Sequence, residues 1–221
     1  MRVFDTELKN LRDGIMAMAG LAEEMIELTI QALAERSSAK AERVGELDRQ
    51  MDAWDLKLDQ LCVDLLALHS PAAKDLRLIA SSLKIIPELE RIGDHCSNIA
   101  RRATFVHPPI LSEGMLEQLG RETRSMVRQA VDAFVGSDAA LARAVIQSDD
   151  KVDDLYARIY RELLRLMLAD PLCIERASHL ILVIKNWERI ADQATNIAEE
   201  VLYILEAQSA KHPYLRDTPG E

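Results

Sequence analysis

Apolar residues recur along much of the chain in steps of three and four. One run links Val44, Leu47, Met51, Trp54, Leu58, Leu61, Leu65 and Leu68, and another Ile85, Leu89, Ile92, Cys96, Ile99 and Ala103. A third links Val183, Trp187, Ile190, Ala194, Ile197 and Val201. That spacing returns to one face of a 3.6-residue helix, so each run is the packing seam of an amphipathic helix. The Met and Trp members read as core side chains. Six helical stretches are predicted, at about 4–36, 38–68, 72–104, 112–135, 138–169 and 172–207. Turns fall at His69-Ser70-Pro71 and Asp170-Pro171, and the pair Pro108-Pro109 separates the third stretch from the fourth. Ser37-Ser38 and Ser137-Asp138 offer N-caps for the second and fifth stretches. Pro87 should kink the third helix or start a fresh segment there. The tail from Ala207 to Glu221 loses the period and is expected to fray.

The stretches are not six independent helices. Glu90-Arg91-Ile92-Gly93-Asp94-His95-Cys96-Ser97-Asn98-Ile99-Ala100 returns as Glu188-Arg189-Ile190-Ala191-Asp192-Gln193-Ala194-Thr195-Asn196-Ile197-Ala198, with seven of eleven positions identical at an offset of 98. Upstream, Asp48-x-x-x-Asp52 is echoed by Asp149-x-x-x-Asp153. The chain therefore reads as an all-α protein of two tandem homologous three-helix bundles, residues 1–107 and 108–221.

Composition supports this and narrows the partners. Gly and Pro total 15 of 221 residues and aromatics nine, too few turn-formers and strand-formers for a many-stranded β fold. The formal charge of −10, without a basic run, argues against nucleic acid. No stretch of about 18 apolar residues can span a bilayer, so any membrane association would be peripheral. The N-terminus lacks a signal-peptide core, which points to the cytoplasm. Cys62, Cys96 and Cys173 form no C-x-x-C pair and read as reduced core thiols. Apolar positions on the first helix would permit a homodimer.

The acids carry the candidate chemistry. Asp48 and Asp52 lie one helical turn apart, as do Glu90 and Asp94. Across an antiparallel hairpin turning at Pro71, Asp48 is level with Asp94 and Asp52 with Glu90. In the second half, Asp149 is level with Asp192 and Asp153 with Glu188 about the turn at 170–171. Each hairpin thus gathers four carboxylates, whose mutual repulsion must raise some pKa values or draw in a cation. Oxygen-only ligands favour Mg, Ca, Mn or ferric iron, with zinc as a further option. The alternative is neutralisation by Arg49, Lys57, Arg91, Lys151 and Arg189. Asn98 and Asn196, one turn beyond the aspartates, would orient a ligand or lie exposed. Gly93 either permits close helix approach or is merely tolerated, and Asp55 and Asp59 read as a solvated face. A competing reading is a carboxylate-bridged di-metal enzyme. Such bundles use Glu-x-x-His, which is absent here, and His95 sits about 100° away from Asp94 with Gln193 as its counterpart. Without a phosphate loop or nucleophile elbow, no enzyme activity is expected.

The doubled Glu-Arg-Ile-Gly-Asp-His-x-x-Asn-Ile-Ala motif resembles the PhoU family of phosphate-transport accessory regulators. Phe4, Glu7-Leu8, Asp75-Leu76-Arg77, Glu199, Val201, Leu202 and Tyr203 extend the resemblance over essentially the whole chain. Pro87 and Ala191 depart from the family pattern. The resemblance implies two three-helix bundles that carry multinuclear metal clusters, of iron or zinc. Asp48, Asp52, Glu90 and Asp94 would hold one, and Asp149, Asp153, Glu188 and Asp192 the other. It also implies negative regulation of phosphate uptake and starvation signalling, between a phosphate ABC-transporter ATPase and a sensor histidine kinase at the membrane.

Overall fold

The computed structural model describes residues 3–112 and 114–207, so most of the tail expected to fray lies outside the described residues. Six long helices follow in order: α1 Val3–Glu35, α2 Ser38–Leu68, α3 Ala73–Ala100, α4 Met115–Gly136, α5 Ala139–Ala169 and α6 Ile174–Glu206. A 3-10 turn, Pro171–Cys173, leads into α6. Both expected caps form. The Ser37 hydroxyl accepts from Lys40 N at 3.3 Å, and the Asp138 carboxylate accepts from Ala140 N and Leu141 N at 2.9 and 3.0 Å. Each satisfies N–H groups that the first turn of a helix leaves without partners. The third predicted stretch ends early, since residues 101–105 fold as turns, although Ala103 stays buried. α4 starts three residues late, behind Gly114 at a φ of 87°.

Pro87 does not break α3. An interior proline removes one N–H and crowds the carbonyl of Leu83, yet α3 runs as one helix from Ala73 to Ala100. Its neighbours Ile85, Ile86 and Leu89 are fully buried, and contacts with α1, α2 and α6 hold the helix in place. Most stripe residues behave as expected; Trp187 is wholly buried. Trp54 is only half-buried, with the Lys57 ammonium 4.3 Å from its ring centre, and Leu68 is exposed at the hairpin tip. Cys62, Cys96 and Cys173 are buried free thiols, and burial pushes the Cys62 and Cys96 thiols well above their usual range.

Within each half the three helices pack on one another, and the halves join through α1 against α4 and α3 against α6. The α3–α6 contact is as extensive as those inside either half, so a single core runs through both. Gly120 of α4 sits at a close-packed point of the junction. A Cβ there would lie 2.7 Å from Ile30 Cγ1 of α1 and 3.0 Å from Trp187 Cζ2 of α6. Gly120→Val should therefore lower stability by about 2 kcal/mol despite its better helix propensity, by overpacking the junction. Urea unfolding checks this, and an unchanged midpoint would show that the junction can yield.

Candidate functional site

The hairpin register places the predicted carboxylates beside one another. In the first half, burial raises the Asp48 carboxyl above the usual aspartate range, as do the nearby charges of Asp94 and Asp52. Opposing this, the Ser97 hydroxyl donates to Asp48 Oδ2 at 2.7 Å. Glu90 is raised by burial and by Asp94, Asp55 and Asp52. In the second half, burial together with Asp153, Asp192, Asp150 and Glu188 pushes Asp149 up to about 6. Asp153 and Asp192 are raised too, each by burial and then by Glu188. Within each set the carboxylates are near enough for their charges to act on one another. Among the described residues, no three or more His, Cys, Asp or Glu side chains form a closed ligand set.

Gly93 eases the close approach of α2 in the first set. A Cβ at this position would sit 3.1 Å from Asp48 Oδ1, so the glycine lets the α2 carboxylate lie against α3. An open groove of about 410 Å³ runs beside it, with Asp48, Arg49, Ser97, Arg101 and Thr104 in its wall.

Cations are distributed differently in the two halves. Among the described residues, no Lys or Arg forms an ion pair with Asp48, Asp52, Glu90 or Asp94. Lys57 covers Trp54, and Arg91 pairs with Glu88 at 2.9 Å. In the second half, Lys185 Nζ donates to both Glu188 oxygens at 2.7 and 2.8 Å. Arg189 lies 3.0 Å from Asp192 Oδ2 and 3.7 Å from Glu188 Oε2.

Asp55 corrects an expectation. It is half-buried, its carboxyl is raised, and it faces Glu90 rather than forming part of a solvated surface. Its i+3 spacing from Asp52 was the available signal. Asp59, by contrast, is exposed. Lys185 was also missed, because it lies outside the repeated motif. The asparagines stand apart from the carboxylates' contacts. Asn196 Nδ2 donates across the α3–α6 contact to Glu88 Oε2 at 3.2 Å, and half-buried Asn98 accepts on its backbone carbonyl from Arg102. His95 Nδ1 lies 2.9 Å from Asn186 Oδ1 across the same contact, a core-edge position.

A PhoU domain model matches residues 15–103 and 116–201. The phosphate-specific transport system accessory protein PhoU homolog of Pseudomonas aeruginosa is 40% identical over 212 residues, covering 95% of this chain and 88% of its own length. The corresponding PhoU of Escherichia coli is 35% identical, covering 95% and 88%. The homolog of Aquifex aeolicus is 36% identical over 98% and 99%. The crystal structure of PhoU from Pseudomonas aeruginosa superimposes with a TM-score of 0.88 at 39% identity, over 93% of this chain and 100% of that one. The phosphate transport system regulatory protein PhoU from Streptococcus pneumoniae does so with 0.88 at 28%, over 94% and 99%. These relatives are named as accessory or regulatory proteins, and none of those names describes an enzyme.

Repulsion within the second set has a measurable sign. Asp149 titrates at about 6 when folded, against a reference of 3.8, so the native state binds the extra proton between those values. Its contribution to stability therefore falls as pH rises from about 4 to 6. Asp149→Asn should raise stability at pH 7 by about 1 kcal/mol, allowing for screening at a part-exposed site, and change it little near pH 4. Urea midpoints at the two pH values test this; a midpoint that drops at pH 7 would contradict it.

Proposed function

This chain belongs to the PhoU family, and on that premise we propose that it is a cytoplasmic, cation-binding adaptor that restrains phosphate uptake and phosphate-starvation signalling. Its partners in this reading are the ATPase subunit of a phosphate ABC transporter and a membrane sensor histidine kinase. One observation carries the proposal: relatives named as phosphate-specific transport accessory proteins align with the chain almost end to end. A peripheral role agrees with the helices, since among the described residues none is long and apolar enough to cross a membrane.

The cation in this reading would draw on carboxylates of both halves. Asp48, Asp52, Glu90 and Asp94 would hold one on the α2–α3 hairpin, and Asp149, Asp153, Glu188 and Asp192 another on α5–α6. All eight offer only oxygen, which suits hard cations such as iron, Mg, Mn or Ca, and zinc through carboxylates. The raised carboxyls in each set carry repulsion that a cation would relieve. When bound, such ions would supply local positive charge on a strongly acidic protein. The chain's own part is positional. Antiparallel helices hold the carboxylates near one another, Gly93 admits Asp48 to the first set, and Ser97 orients it.

In cells lacking their own family member, expression of this chain should lower labelled phosphate uptake and starvation-promoter activity severalfold under phosphate-replete growth. The transporter ATPase and the kinase should co-purify with it from membranes. Untagged protein should contain metal by elemental analysis, and Glu188→Ala with Asp192→Ala should reduce that content by about half. Co-purification of neither partner would sink the adaptor role, and unchanged metal content in the double variant would sink the site assignment.

A further inference from the structure

The segment that joins the two halves borders a cavity of about 370 Å³. Ile30 and Leu33 of α1, Ile110 of the joining segment, Leu116 of α4, and Leu180 and Trp187 of α6 line it. The joining segment occurs once, so this cavity is not part of the duplicated scaffold. Trp187 has Leu89 as its counterpart at the offset of 98. Its Nε1–H is buried and has no hydrogen-bond partner among the described residues, although a buried indole N–H ordinarily finds one. His107 also borders the cavity. Its Nε2 donates to the Leu33 carbonyl at 2.8 Å, so the neutral ring keeps its lone pair on Nδ1. The lining residues include Glu117 but no Lys or Arg. Arg121 is engaged by Glu117, and Arg176 by the Pro108 carbonyl.

We propose that this cavity binds a small neutral molecule with an apolar body and one hydroxyl group. Its volume falls within the range of roughly 300–1,000 Å³ usual for small-molecule sites, which favour interfaces between domains. The aliphatic wall takes the apolar body by removing it from water. A hydroxyl both accepts and donates, so one group can answer the Trp187 N–H and the His107 lone pair. A carboxylate cannot donate. It would also meet Glu117 with no lysine or arginine in the wall, at the cost of burying an unpaired charge. An ammonium has no lone pair to offer the indole. Ala34 and Pro109, both exposed, mark the mouth through which the molecule enters.

N-phenyl-1-naphthylamine, a neutral apolar probe whose emission rises away from water, tests this. Its emission should rise on adding the protein. In Trp54→Phe, which leaves Trp187 as the only tryptophan, the bound probe should quench the tryptophan emission. Ala34→Phe fills the mouth from an exposed helix position, so it should weaken probe binding at least tenfold without moving the urea midpoint. 1-Octanol should displace the probe at concentrations at least tenfold lower than octanoate. Trp187→Phe should weaken octanol about fivefold, the scale of one neutral hydrogen bond. It should leave the probe, which has no oxygen acceptor, unchanged. An absent rise in emission, or one that Ala34→Phe leaves intact, overturns the site. Equal displacement by octanoate overturns the neutral hydroxyl ligand. So does an octanol affinity that Trp187→Phe leaves unmoved or lowers only in step with that of the probe.

Discussion

Two long antiparallel helices can slide by a turn at little cost when only apolar stripes meet, and the α3–α6 contact is protected against that slide. Arg77 Nε donates to the Ile204 carbonyl at 3.3 Å. Ser81 and Lys84 both reach Glu200, Asn196 reaches Glu88, His95 meets Asn186, and Phe105 stacks on His179 at 4.8 Å. Residue numbers rise on α3 as they fall on α6, so these contacts form one ladder with one register. Glu200 is its strictest rung, because it is 4% exposed. A shift of one turn would take Ser81 and Lys84 away from this buried carboxylate, at a large cost. Both motif helices lie in this ladder, which therefore fixes where each hairpin can present its acids.

The helices, their caps and the nearness of the facing carboxylates were legible in the sequence, for a local reason. A helical stripe, an N-cap serine and the midpoint of a hairpin each depend on a short segment and fixed geometry. Distances from the turns at 71 and 170–171 were enough to pair Asp48 with Asp94 and Asp149 with Asp192. The α3–α6 ladder was not legible, because it joins positions some 70 to 130 apart and its side chains follow no period. Asn98 and Asn196 show the consequence. Their spacing from the aspartates suggested the carboxylate face, yet Asn196 is drawn to Glu88 on the other half. Pro87 starts no fresh segment, for a related reason. Its local cost is real, but packing on three sides outweighs it.

The halves also differ in how closely the paired helices fit around the first aspartate of each set. Gly93 leaves room for Asp48 to approach α3, where the Ser97 hydroxyl donates to it and moderates its rise. The second half has Ala191 in place of Gly93 and Thr195 in place of Ser97. Ala191 is fully buried, so its methyl fills the space that the glycine leaves open. Thr195 Oγ1 is buried without a hydrogen-bond partner, and no hydroxyl offsets the charges around Asp149. The aspartate that lost its hydroxyl is the one pushed up to about 6. The same half supplies Lys185 and Arg189 to the neighbouring Glu188 and Asp192. Where the helix-to-helix fit withholds a hydrogen bond from one acid, cations on the rim meet the acids beside it, and two copies of one scaffold arrive at different electrostatic solutions.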